Sequence, residues 1–157
     1  MIKKYGAIVG SAVLLSAAAG FVTIHEGIVL STYKDPVGVT TACVGHVSPE
    51  LRMGMVFTKE DCDTFLKQDL NHAISVIDRS VKVKIEPETK IALASFVFNV
   101  GEGNFRRSTL LKKLNSGDII GACNQLPRWV YAKGKKLSGL VKRREEERKL
   151  CLKGAQT

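Results

Sequence analysis

Glu26 and Asp35 are carboxylates nine positions apart, and Thr41 follows with a hydroxyl six positions later. Glu26 comes after Phe21, Val22 and Ile24, on what reads as an apolar helix, whereas Asp35 stands beside Pro36 in a turn. A carboxyl in an apolar setting keeps its proton to higher pH, while one in a wet turn stays ionised. An acid and a base so differentiated, on opposite faces of a sugar ring, are the equipment of glycoside hydrolysis. Thr41 would then hold a water beside Asp35. Spacing alone does not require this, because acid pairs at such a distance are also solvated charges or helix caps. No metal or cofactor is expected: His25, His46 and His72 share no ligand spacing, and the cysteines form no CxxC or Cys/His cluster.

The elements that must position these residues follow from local signals. Asp35-Pro36 and Val37-Gly38 are turn signals, and Val39 to Val44 is β-branched and alternating, so Ile28–Val47 reads as short strands and turns. Thr58-Lys59-Glu60-Asp61 has the form of a capping box. Phe65, Leu66, Leu70, Ala73, Ile74 and Ile77 fall on one face of the helix that follows, Lys59 to Asp78. Pro87 suits the first turn of a further, buried helix, which Gly101-Glu102-Gly103-Asn104 should break. Short helices are expected over Ser108–Asn115 and Asp118–Leu126, the latter closed by Pro127. A last basic helix is expected from Ser138 to Leu152, with Gly154 as its stop. The fold class is α+β, mainly α: a small antiparallel β-hairpin lobe beside a larger helical lobe, preceded by an N-terminal apolar helix. His46 is expected to be a structural hydrogen-bonding residue of the hairpin, and Trp129 a packing residue.

The chain has 157 residues and a formal net charge of +9, with the excess concentrated late. Residues 106–157 hold fourteen basic and four acidic side chains. Such a face seeks a polyanion, whether nucleic acid, an anionic membrane surface or a carboxylate-bearing polymer such as peptidoglycan. One Trp, three Tyr and six Phe supply few stacking platforms for nucleic acid. Lys3 and Lys4 precede an uncharged stretch, Tyr5 to Ile24, of about the length that crosses a bilayer. Its Gly, Ala and Ser content makes partition into lipid marginal. A cleaved signal peptide with a small-residue site at Ala17-Ala18-Ala19, a stable anchor and a metastable anchor all remain open, and all export the remainder. Four cysteines, all after that stretch, suggest two disulfides in an oxidising compartment. Sequence allows three pairings; Cys43–Cys62 and Cys123–Cys151 are preferred because each closes a local segment. Four buried free thiols are the alternative.

Ile24-His25-Glu26-Gly27, Tyr33-Lys34-Asp35-Pro36-Val37-Gly38, Thr40-Thr41 and Gly45-His46 together resemble the catalytic signature of the phage T4-type lysozymes (glycoside hydrolase family 24). Phe96 through Gly101, Gly103-Asn104-Phe105, Arg128-Trp129, and Gly139-Leu140 through Arg143-Arg144-Glu145 resemble blocks of lambdoid phage endolysins. The likeness spans residues 24–153. The weak apolar N-terminus resembles that of signal-arrest-release endolysins. Some tethered endolysins gate a catalytic cysteine by disulfide exchange, but here no cysteine precedes Cys43, so that route is closed.

The resemblance implies a lysozyme-like fold and an inverting muramidase without cofactor. Glu26 would be the general acid, with Asp35 and Thr41 holding the attacking water and the two carboxyls roughly 6.5–9.5 Å apart. Val47 and Phe98 would line the sugar cleft, with Asn99 and Ser108 as polar contacts. Residues 1–24 would be the signal-arrest-release or signal-anchor segment and residues 25–157 the muramidase domain. The partners would be peptidoglycan and, through the N-terminal segment, the host inner membrane. The protein would be a monomer, tethered facing the periplasm and then released into it. Release would let Tyr5–Ile24 fold against the helical lobe. A non-catalytic basic binder of peptidoglycan or membrane, or a lytic transglycosylase, are the alternatives.

Overall fold

Ala92, Leu93, Ala94, Phe96 and Val97 crowd into six positions, a density that suits a helix enclosed on every side. The computed structural model describes residues 2–156, with side chains from Ala12 onward. In chain order the elements are α1 (Ile2–Glu26), β1 (Val29–Lys34), β2 (Thr40–Cys43), α2 (Lys59–Ser80), α3 (Pro87–Val100), α4 (Glu102–Arg107), α5 (Thr109–Asn115) and α6 (Ile119–Cys123). A single 3-10 turn (Leu126–Arg128), β3 (Tyr131–Ala132), β4 (Lys135–Lys136) and α7 (Ser138–Ala155) complete it. The crowded run forms the middle of α3, and all five side chains are buried. Helices α1, α2 and α7 pack around it. The expected class, mainly helical with a small β lobe, is what is found.

The β lobe is an antiparallel pair, β1 with β2, in which Tyr33 faces Thr41 and Lys34 faces Thr40. Met55 and Phe57 extend it by backbone bonds to Thr32 and Leu30. The lobe is fastened to α2 twice. Cys43 is bonded to Cys62, and His46 Nδ1 lies 2.9 Å from Asp69 Oδ2 while its ring stacks on Phe65. The second disulfide, Cys123–Cys151, joins α6 to α7. Each loop of such size stabilises by about 3 kcal/mol in the chain-entropy picture. Helix α2 starts with the capping box expected at Thr58, Asp61 reciprocating.

Several expected boundaries move, each for a packing reason. Gly101 does end α3, but a new helix starts at once: buried Phe105 packs edge-on toward Phe96 within α4. Ser108 is the cap of α5 rather than its first residue. Helix α6 stops at Cys123, and Pro127 sits inside the 3-10 turn. The β3–β4 hairpin was not anticipated; Lys133 and Gly134 turn it at φ of 50° and 74°, the positive values a two-residue hairpin turn requires. Gly154 is not a stop but lies within α7, where the backbone of α3 comes close. The division expected between residues 24 and 25 falls within α1, whose Ala18, Ala19 and Val22 are buried in the helical core. Among the described residues no helix is long and apolar enough to cross a membrane. The side chains of Tyr5–Ser11, part of the expected anchor, lie outside the described residues.

Where α3 and α7 meet, Thr89 Oγ1 donates to the Cys151 carbonyl at 3.0 Å. A Cβ on Gly154 would stand 2.4 Å from Thr89 Oγ1 and 2.7 Å from its backbone nitrogen. Gly154→Ala must therefore push the helices apart, at about 1–3 kcal/mol. Its thermal unfolding midpoint is expected to fall by several degrees.

Candidate active site

Glu26 is the last helical residue of α1, and Gly27, at φ 70°, turns the chain away toward β1. Asp35 opens the turn between β1 and β2. Its Oδ1 accepts the amides of Val37 at 2.9 Å and Val39 at 2.8 Å, so the side chain is fixed by the turn it helps to make. Among the described residues no hydrogen bond reaches its Oδ2. Thr41 is buried opposite Tyr33, its hydroxyl donating to the Val39 carbonyl at 3.1 Å. Tyr33 links the two carboxylates. Its phenol is pushed above the ordinary 10.0 by burial first, then by the charge of Glu26, then by that of Asp35. One ring thus lies in the field of both acids, with Thr41 across the ladder from it.

The surroundings of Glu26 differ from the apolar setting its sequence neighbours suggested. Its Oε1 contacts the Nη1 of Arg143 on α7. Arg143 is itself 3% exposed. Its Nε lies 3.1 Å from Glu147 Oε1, and its Nη2 donates to the carbonyl and hydroxyl oxygens of Ser95 on α3. Glu147 is also buried; it accepts from Ser95 Oγ at 2.6 Å and pairs with Arg144, whose Nε stands 2.7 Å from Oε2. Arg144 lies over the Phe96 ring, 5.2 Å from its centroid. Its pKa is lowered by burial, against the pull of Glu147. The arginines expected on a basic outer face thus point inward. Arg143 thus sets a positive charge directly on the Glu26 carboxyl.

Two cavities flank the end of α3. One, of about 330 Å³, is lined by Glu26, His25, Asn99, Arg143 and the first turn of α7. The other, of about 290 Å³, lies between the β lobe and the helices and is lined by Val47, Phe98, Asp69, His72 and Glu102. Val47 and Phe98 are therefore neighbours across a groove, and Asn99 shares a space with Glu26. Ser108 does not join them. It is buried, donating to the Phe105 carbonyl and accepting from the Leu111 amide, so both roles of its hydroxyl serve a helix cap. Trp129 packs edge-on against Phe96. Sequence reasoning did not single out Tyr33 or the Lys133 ammonium, which reaches from the β3–β4 turn to the Pro36 carbonyl beside Asp35. Tyr33 carried a signal, standing at the end of β1 two positions before Asp35; Lys133 carried none. Among the described residues no group of His, Cys, Asp or Glu is arranged to hold a metal.

A carboxylate at a helix end, a turn-bound aspartate and a buried threonine stand where the small β lobe meets the helical lobe, and the fold that carries them is lysozyme-like. The chain belongs to the phage lysozyme family, which it matches over residues 23–147, and it is an enzyme of the endolysin type. It is 48% identical over 151 residues to a SAR-endolysin of Enterobacteria phage PA-2, covering 96% of this chain and 91% of the relative. The crystal structure of the active form of P1 phage endolysin Lyz superposes with a TM-score of 0.78 at 25% identity, covering 88% of this chain and 84% of that one. The secreted inactive form of the same endolysin gives a TM-score of 0.54 and covers only 68% of this chain and 76% of that one.

Tyr33 offers a direct readout of the site. A raised phenol pKa means the folded state keeps its proton when the unfolded chain has lost it. The associated stability is present below about pH 10 and is lost as pH rises through the folded value. In a tyrosinate absorbance titration, one of the three tyrosines is expected to ionise late, and Tyr33→Phe to remove that late step.

Proposed function

We propose that the protein is an inverting muramidase that cuts the β-1,4 bond between N-acetylmuramic acid and N-acetylglucosamine in peptidoglycan and so lyses the bacterial host. Glu26 protonates the leaving oxygen. Asp35, with Thr41, orients and activates water on the opposite face of the ring. What supports this reading is the family match over residues 23–147 together with the Glu26 carboxyl at the end of α1, held by Arg143, and an Asp35 side chain fixed by its own turn. Arg143 receives the charge as Glu26 loses its proton. Val47 and Phe98 offer apolar contact to sugar rings, and Asn99 a polar one.

The test is turbidity loss of purified peptidoglycan, with mass analysis of the fragments. A general acid typically contributes 10²–10⁴-fold, so Glu26→Gln is expected to lose about that much activity while keeping its fold. Fragments carrying a reducing end support hydrolysis; 1,6-anhydro ends would identify a transglycosylase instead. A folded, active Gln variant would remove Glu26 from the role.

The chain is exported by the host machinery, held at the inner membrane by its N-terminal segment and then released into the periplasm. Support comes from the SAR-endolysin relatives and from α1, which ends on the acid itself. While the helix lies in lipid, Glu26 is held at the membrane surface; on release, α1 docks against α2 and α3 and carries it into the site. Gly20 is exposed, with nothing within 4 Å of an added Cβ, so a larger residue there is tolerated by the folded enzyme but strengthens the hold of lipid. Gly10→Leu with Gly20→Leu is therefore expected to leave the protein in the membrane fraction and cells unlysed. Normal lysis would point to a peptidase cut near Ala19.

Lys135, Lys136 and Lys142 are exposed and flank in sequence the Leu137–Leu140 segment that lines the Glu26 cavity. They attract the carboxylates of peptidoglycan stem peptides. Reversing all three charges is expected to lower activity and flatten its dependence on salt; unchanged kinetics would reduce them to a solvated face.

A further inference from the structure

Next to the acid, on the same terminal turn of α1, stands a residue that the chemistry above does not use. The His25 side chain is 6% exposed, and its Nε2 lies 3.1 Å from Glu146 Oε2. Nε2 makes no hydrogen bond there, so the two groups meet as a close polar contact. The ring packs against Phe21 one turn earlier, with centroids 5.0 Å apart. Glu146 follows Arg143 by three positions on α7, which puts both on one face of that helix. Adjacent residues of α1 thus grip adjacent points of α7, Glu26 on Arg143 and His25 on Glu146.

The end of α1 has little else to hold it. Val22 is the last fully buried side chain of the helix, and Ile24 is 78% exposed. Beyond Val22 the direction of the helix rests on what its last two residues touch. Arg143 pulls on the very carboxyl that must deliver a proton, whereas a hold through the neighbouring residue steadies the backbone without competing for a carboxyl oxygen. Taking Glu26 as the acid, we propose that His25 is a positioning residue for the glycosidic proton transfer. Its contact with Glu146 seats the terminal turn of α1 on α7, so that the Glu26 carboxyl faces the cavity it shares with Asn99. In a helix that arrives at the site only after release, this contact completes the assembly of the active enzyme.

The experiment measures kcat and KM of the full chain on peptidoglycan, together with thermal unfolding. A displacement of about 1 Å at a reacting group costs up to about 10²-fold in rate. His25→Phe is expected to keep the packing on Phe21 and the unfolding midpoint while lowering kcat by about 10- to 100-fold at unchanged KM. Glu146→Gln should do the same, and the two together no more than either alone. The exchanged pair His25→Asp with Glu146→Lys should recover most of the rate. Should the Phe variant fail to fold, His25→Gln serves the same comparison. Full kcat in the His25 variants, effects that multiply in the double variant, or a loss confined to thermal stability would each overturn the proposal. Glu26→Gln is run alongside: if it is inactive while the His25 variants are not, positioning fails and the acid assignment stands. If it is active, the acid assignment fails and takes the positioning role with it.

Discussion

The Glu147 carboxylate lies fully buried between the guanidinium groups of Arg143 and Arg144, and the catalytic end of the helical lobe is organised around that charge. Removing ions from water costs several kcal/mol each, recovered only when every partner is in place. Two cations and one anion leave a positive charge over, and the fourth member that reaches it is Glu26. Ser95 binds both Arg143 and Glu147, which ties α3 into the same cluster. The acid is thus joined to the interior by the interaction that balances the cluster. A resting ion pair and the role of proton donor proposed above are opposing demands on one carboxyl. They are compatible because Arg143 divides its donors among three residues rather than committing them all to Glu26.

What the sequence disclosed was what short-range rules encode. The Asp35 turn, the strands on either side of it, the capping box at Thr58 and the start of α3 at Pro87 all depend on neighbours within a few positions, and all are found. The buried arginines were hidden because composition reports a charge but not its direction. A cue existed: Arg143, Glu147, Cys151 and Gly154 recur at helical spacing, so a disulfide half and a tight glycine share their stripe. The β3–β4 hairpin was hidden for a different reason. Its strands are two residues long and lysine-bearing, and no periodicity can develop over such a length. Ser108 was placed in the cleft through family likeness, yet a serine just ahead of a helix has a simpler local use as a cap.

The family likeness and the physical reading support each other at different points. The likeness directs attention to Glu26, Asp35 and Thr41. The structure adds what likeness does not supply: how the Asp35 side chain is fastened and which cation answers Glu26.

Helix α1 is thin. Of its described side chains, Ala18, Ala19 and Val22 are those fully given to the interior, while Ser16, Ala17 and Gly20 face outward. Two methyls and one isopropyl group represent roughly 3–4 kcal/mol of transfer from water, a slender apolar hold beside which the contacts of Glu26 and His25 with α7 carry weight.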